Sequence, residues 1–137
     1  MSDLLKLVKF QCQFVKAEPP SDEAIEAINY CRTRLYDMRL VGVNEKGEGF
    51  GNVSIRHISN GFLITASQTG QFRTLGQKQF VLVKKCVFQK NKVTASGACM
   101  PSSESLSHGA VYESSQAINA VIHIHHLPLW THLMGDK

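Results

Sequence analysis

The segment VSIRHISNGFLIT, residues 53 to 65, predicts the centre of the fold. Val53–Arg56 and Gly61–Thr65 are short runs rich in β-branched and aromatic residues, which favours two strands. The residues Ser59–Gly61 between them form the tight-turn sequence SNG. A tight turn between two such runs is typical of a β-hairpin, so we expect an antiparallel strand pair here.

Strand patterns also occur on both sides of this hairpin. The segment LVKFQCQFV alternates before it, and the turn QKN joins two more strand-like runs after it. A further apolar run, AVIHIHHLPLW, reads as a buried strand that carries three histidines. The strands outside the hairpin are therefore predicted at Leu7–Val15, Phe80–Phe88, Lys92–Ala95 and from Ala120 onward.

Three helices complete the predicted elements. The first has Ser21 as its N-cap, Asp22 and Glu23 in its first turn and an end near Arg39. Its apolar residues recur every three or four positions, which predicts a packing face made of Ile25, Ile28, Cys31, Leu35 and Met38. The second helix is predicted from Ser102 or Ser103 to about Ala117, and the third over Leu129–Met134. Hairpins followed by a helix and a buried strand favour an α/β sandwich with a mixed, largely antiparallel sheet.

Composition restricts the function classes. A chain of 137 residues is the size of one domain, and its 15 Lys and Arg against 11 Asp and Glu form no one-sided basic stripe. We therefore expect no nucleic-acid partner. The amino-terminal segment and the apolar runs predict neither a signal peptide nor a membrane span, so a cytoplasmic protein is expected. The four cysteines lack C-x-x-C spacing and are predicted to be free thiols in a reducing compartment.

The histidine-bearing segment is the first candidate site. Side chains alternate along a strand, so His123 and His125 share one face while His126 points to the other. Neutral imidazole is a common metal ligand, and a spacing of two residues suits chelation. The alternative is a pair of hydrogen-bonded histidines at the end of a strand.

A carboxylate follows from the segment MPSSESLSHGAVY, residues 100 to 112. Glu104 falls in the first turn of the second predicted helix, where it is either a capping partner or a third metal ligand that also acts as a base. His108 lies four residues later on the same helix face. We expect it to orient a ligand or to pack.

Two glycine-containing turns supply anion donors. GFGNVS places Gly51 and Asn52 before a strand, and TASQTG places Ser67, Thr69 and Gly70 after one. Backbone N–H groups in such turns form concavities that bind phosphate or carboxylate oxygens. Each turn alone is an ordinary loop signal, but together with Ser102 and Ser103 they predict an anion pocket.

Four ordered motifs resemble the class II aldolase/adducin family. They are GNVSIR (51 to 56), FLITASQTG (62 to 70), PSSESLSHGAVY (101 to 112) and AVIHIHH (120 to 126), and the likeness covers about residues 25 to 136. The resemblance implies one α/β/α sandwich domain over residues 1 to 137. It also implies that Glu104, His123 and His125 bind a divalent metal, with zinc expected, and that Glu104 is the catalytic acid/base. The residues implied to hold the substrate phosphate are Gly51, Asn52, Thr69, Gly70, Ser102 and Ser103.

The activity implied is retro-aldol cleavage of a phosphorylated or otherwise anionic ketose through a metal-stabilised enediolate. The family also implies a homotetramer with active sites between subunits. Two alternatives stay open: a non-catalytic adducin-like scaffold, and an epimerase or dehydratase on the same fold.

The sequence departs from the family pattern twice. The turn TASQTG is longer than the usual one, so either Ser67 or Thr69 takes the place of its hydroxyl. The family's third metal histidine would lie beyond Lys137, and His126 and His132 are poor replacements because metal sites demand tight geometry. We therefore expect a C-terminally truncated member, and the activity of the short chain stays open.

Overall fold

The elements of the fold come from a computed structural model that describes residues 10–21 and 23–135. Its strands are β1 (Gln11–Lys16), β2 (Gly42–Val43), β3 (Gly49–Phe50), β4 (Asn52–Arg56), β5 (Phe62–Thr65), β6 (Phe80–Val87), β7 (Lys92–Gly97) and β8 (Ala120–His123). Its helices are α1 (Glu23–Asp37), α2 (Ser105–Ser114) and α3 (Leu127–Gly135). Short 3-10 turns precede and follow β6.

Six strands form one mixed sheet in the order β1-β7-β6-β5-β4-β8. The predicted hairpin is confirmed, since β4 and β5 pair antiparallel with Ser54 opposite Ile64. The remaining neighbours are antiparallel except β1, which pairs parallel with β7. The two short strands β2 and β3 form a separate antiparallel ribbon. The molecule is therefore an α/β fold with a mixed, largely antiparallel sheet.

Strand alternation divides the core into two clusters. Phe62 and Ile64 of β5 pack in one cluster with Tyr112 of α2. Leu63, the residue between them, packs in the other with Ile25 and Ile28 of α1. Because successive side chains point to opposite faces, both faces of β5 are buried.

The structure shifts several predicted boundaries and leaves others untested. Residues 7 to 9 of the first predicted strand, and Asp22, lie outside the described residues. Helix α1 ends at Asp37, so Met38 follows it and is exposed, whereas Arg32 is buried on the packing face. Helix α2 is shorter than predicted at both ends. Ser102 and Ser103 lie in the turn before it, and it ends at Ser114 rather than near Ala117.

The histidine-bearing strand was predicted to be buried, and that prediction is wrong. Among the described strands β8 lies at the edge of the sheet and pairs with β4 alone, and Ile122 is 51% exposed. β8 ends at His123, so His125 belongs to the segment that leads into α3. Among the described residues no helix combines the length and apolar character needed to span a membrane.

Candidate functional site

One cavity of about 260 Å³ brings the predicted site residues together. Four segments line it: three lie at β4, β5 and β8, which are neighbours in the sheet, and the fourth, residues 102–104, precedes α2. All nine predicted residues are in its lining: Gly51, Asn52, Thr69, Gly70, Ser102, Ser103, Glu104, His123 and His125. Ser67, the alternative to Thr69, lines it as well.

The turn after β5 is held tightly against the β2–β3 ribbon. A Cβ atom on Gly70 would lie 2.4 Å from the carbonyl oxygen of Gly42 and 3.1 Å from the Cα of Gly49. Those distances leave no room for a side chain. Within the turn the Thr69 hydroxyl donates a hydrogen bond to the Ala66 carbonyl (2.8 Å), whereas Ser67 is exposed. The Thr69 hydroxyl proton is therefore already engaged, and Ser67 is the freer donor.

A buried arginine braces this turn from the helix side. Arg32 of α1 is 3% exposed, and its guanidinium donates to the carbonyls of Phe72 (2.8 Å), Thr69 (3.0 Å) and Arg73 (3.3 Å). Burial lowers the pKa of Arg32, but arginine keeps its charge at neutral pH. Sequence analysis missed this role. The available signal was a cation at a position that the helical spacing of the apolar residues assigns to the packing face.

A chain of buried polar side chains lies behind Asn52. His108 Nε2 is hydrogen-bonded to the Asn52 side-chain oxygen, and His108 Nδ1 lies 2.6 Å from the Ser54 hydroxyl. Ser54 in turn lies 2.7 Å from the Tyr112 hydroxyl. Burial, and secondarily the nearby His123, lowers the pKa of His108 to about 4, so its ring is neutral at pH 7. Sequence analysis expected an orienting or packing role for His108 but did not single out Ser54 or Tyr112 as part of a site.

The two predicted histidines lie side by side at the cavity. Their ring centroids are 4.9 Å apart, with ring planes inclined by 53°. The backbone N–H of His125 donates to the Leu40 carbonyl (3.0 Å). The His125 ring centroid lies 5.4 Å from that of Phe50. Burial and His123 lower the pKa of His125, while the Glu104 carboxylate opposes that shift. His125 therefore lies within the electrostatic influence of both His123 and the Glu104 carboxylate.

Glu104 and His126 differ in their hydrogen bonds and in whether they line the cavity. Glu104 is the N-cap residue of α2, yet its side chain makes no capping hydrogen bond. Instead, its backbone N–H donates to the Ser102 hydroxyl (3.2 Å). His126 Nδ1 accepts a hydrogen bond from the Leu129 N–H (3.2 Å) at the start of α3. The Glu104 carboxylate therefore lines the cavity without a capping role, and His126 does not line it.

The side chains are chemically suited to a divalent metal, but they are not arranged as a complete metal site. Two imidazoles and one carboxylate are ligands that suit zinc. Within residues 10–21 and 23–135, however, no group of three His, Cys, Asp or Glu side chains is close enough to hold a metal ion. His123, His125 and Glu104 line the same cavity without forming a three-ligand metal group.

Comparison with known proteins identifies one family. The model of the Class II Aldolase and Adducin N-terminal domain matches residues 36–134. No curated protein and no solved structure matches the chain. The matched range includes every residue that lines the cavity.

Proposed function

Because the chain belongs to the class II aldolase and adducin family, we propose that it is a metal-dependent lyase that cleaves a phosphorylated or otherwise anionic ketose. The observation that carries this proposal is the shared cavity, in which anion donors and potential metal ligands face the same space. The proposal includes the α/β/α sandwich, the single domain and the homotetramer that the family resemblance implies.

The anion wall of the cavity consists of Gly51, Asn52, Ser67, Thr69, Gly70, Ser102 and Ser103. It contains hydroxyl and amide side chains and two glycines, and no carboxylate. Such groups stabilise the oxygens of a phosphate or carboxylate by several hydrogen bonds at once. Since the Thr69 hydroxyl proton is engaged by Ala66, we assign the side-chain hydroxyl of this turn to Ser67.

The histidine wall consists of Glu104, His123 and His125. We propose that the two imidazoles hold a divalent ion, with zinc expected, and that Glu104 moves toward them to bind it. When bound, the ion would polarise the carbonyl and hydroxyl oxygens of the substrate. The Glu104 carboxylate, which no cap engages, is then available to take up and return the proton that carbon–carbon cleavage displaces.

Metal titration tests the histidine wall. Protein purified without chelator and titrated with zinc by calorimetry should bind about one equivalent. His123→Ala and His125→Ala should each lower the zinc affinity at least tenfold, by roughly 1.4 kcal/mol or more. His126→Ala is the matched control, because that ring is bonded to α3, and it should bind zinc as the unaltered protein does. Absence of zinc uptake, or an equal loss in His126→Ala, would contradict the proposal.

Turnover separates the enzyme from its alternatives. The zinc-loaded protein should release an aldehyde from at least one ketose phosphate in a panel, and Glu104→Gln should remove that turnover while the anion still binds. An adducin-like scaffold needs neither Glu104 nor the histidine pair and would show no turnover in either protein. Inversion or water loss without carbon–carbon cleavage would instead indicate the epimerase or dehydratase.

A further inference from the structure

The orientation of the Asn52 side chain decides what the anion wall can bind. An asparagine amide presents either N–H donors or a carbonyl oxygen, depending on a rotation about its last bond. Asn52 is 8% exposed and lines the cavity, and its Oδ1 atom is bonded to His108. Its Nδ2 atom bonds to none of the described residues and is not among their fully buried, unpartnered atoms. The N–H bonds of Asn52 therefore face the cavity.

The hydrogen bond to Asn52 sets the tautomer of His108. A carbonyl oxygen only accepts, so His108 Nε2 must carry the proton. His108 is 1% exposed and its two ring nitrogens are bonded to uncharged side chains, where a buried imidazolium would be costly, so Nδ1 is unprotonated. That atom must accept from the Ser54 hydroxyl at 2.6 Å. Ser54 then accepts from the Tyr112 hydroxyl at 2.7 Å.

These hydrogen bonds share one direction, from Tyr112 through Ser54 and His108 to Asn52. Reversing the tautomer of His108 would set its Nε2 lone pair against the Asn52 oxygen. The amide would then rotate, and a carbonyl oxygen would face the cavity. A carbonyl oxygen repels a phosphate or carboxylate oxygen, whereas the N–H donors attract it.

We propose that His108 is a positioning residue, which Ser54 and Tyr112 hold as its Nε2–H tautomer so that the Asn52 N–H groups face the cavity and select an anionic ligand. The inference rests on the proposed function only for the identity of the ligand. The tautomer and the amide orientation are properties of the free protein.

The first test reads the tautomer directly. Long-range nitrogen–proton NMR spectra of the nitrogen-labelled protein at pH 7 distinguish protonated from unprotonated ring nitrogens. The His108 signals are assigned by their absence from His108→Gln. We expect an Nε2–H ring for His108, and an Nδ1–H ring would overturn the proposal.

The second test reads anion affinity, with inorganic phosphate as the probe in calorimetric titrations. His108→Leu removes the donor to Asn52, and we expect the Kd for phosphate to rise about tenfold. His108→Gln keeps an N–H donor at the position of Nε2, so it should recover most of that loss. If His108 only filled space in the core, His108→Gln would not bind phosphate more tightly than His108→Leu. Equal affinity in the unaltered protein and His108→Leu would overturn the proposal.

A serine pair supplies the control for folding. Ser54→Ala removes the donor to His108 Nδ1, and the spectrum should then show both neutral tautomers. Ser96 is also buried (9% exposed, against 0% for Ser54) but lies on β7, outside this network, so Ser96→Ala should leave tautomer and affinity unchanged. If the unaltered protein does not bind phosphate, that result contradicts the proposed function. The tautomer of His108 then decides the positioning role by itself.

Discussion

The two walls of the cavity differ in how the rest of the chain supports them. The anion wall rests on the centre of the fold: Asn52 is backed by buried His108, and the turn at Thr69 is backed by buried Arg32. The histidine wall lies where β8 forms the sheet edge, and His125 is exposed beyond the end of that strand. Next to it, α3 leaves Leu127, Trp130 and Leu133 exposed.

This difference indicates how each wall reaches its working geometry. Buried, hydrogen-bonded groups cannot move without leaving partners unsatisfied, so the part of the anion wall around Asn52 and Thr69 is formed before any ligand arrives. By contrast, His125 is exposed, the Glu104 side chain makes no capping hydrogen bond, and within residues 10–21 and 23–135 no three-ligand metal group is formed. We therefore expect changes in the anion wall to affect stability, and changes in the histidine wall to affect metal binding alone.

The largest effect is expected from Gly70→Ala. The new methyl group would overlap the Gly42 carbonyl oxygen, a backbone atom that cannot turn aside. The strain should lower the free energy of unfolding by about 3 kcal/mol in urea denaturation. Gly76→Ala is the control, since the nearest atom to its Cβ would be the flexible end of Gln79 at 3.8 Å. A Gly70→Ala protein as stable as this control would show that the anion wall is not rigid.

Acid should weaken the anion wall next. The folded state keeps His108 neutral down to a pKa of about 4, whereas the unfolded chain takes up that proton near 6.5. Below pH 6.5 the unfolded state binds more protons than the folded state. The contribution of His108 to the free energy of unfolding is therefore fully present above pH 6.5 and is lost as the pH drops toward 4. Lowering the pH from 7 to 5 should therefore reduce the free energy of unfolding by about 2 kcal/mol through His108.

His108→Gln isolates the histidine contribution, because a glutamine does not titrate. His125, whose pKa is also lowered, titrates in both proteins and cancels in the difference between them. Urea denaturation at the two pH values should therefore show a smaller acid loss in His108→Gln. Equal losses in the two proteins would mean that His108 is not held neutral by burial.

A comparable or smaller effect is expected when the brace on the turn is removed. Arg32→Met keeps the length of the side chain but leaves the carbonyls of Phe72 and Thr69 without their donor. We expect a stability loss of about 2 kcal/mol and a several-fold weaker phosphate affinity. Arg34→Met is the matched control on the same helix, because Arg34 is exposed and donates to the Tyr30 hydroxyl rather than to the turn. Similar losses in both variants would place the effect in α1 rather than in the turn.

The smallest stability effect belongs to the histidine wall. His125→Ala removes an exposed ring, so the free energy of unfolding should change by less than about 0.5 kcal/mol. The same variant should lose its zinc affinity. Thermal unfolding without metal measures the first quantity, and zinc calorimetry measures the second. A large stability loss without metal would show that the two walls are supported alike.

Much of the fold was predictable because local patterns carry it. The hairpin strands lie within one residue of their predicted bounds, since β-branched runs around a tight turn have few alternative structures. The site residues were predicted from their motifs and from the resemblance of those motifs to the class II aldolase/adducin family, and the structure places all nine around one cavity. Their roles as metal ligands and phosphate donors remain predictions.

The support behind the cavity could not be predicted in the same way. Asn52 and His108 are 56 residues apart, and Arg32 and Thr69 are 37 apart. Periodicity assigns a side chain to a face of its own element but not to a partner on another element. The edge position of β8 was missed for that reason, because an apolar run looks the same whether one strand or two pair with it.

The sequence by itself determined the type of most elements and the chemistry of the donors, because both depend on residue type and short-range spacing. Only the tertiary structure decided which strands are neighbours, which of the polar residues are buried, and that the anion wall is braced while the histidine wall is not. Those properties depend on contacts between distant segments. Such contacts form only when the strands pair, the helices pack on the sheet and water is excluded from the groups behind the cavity.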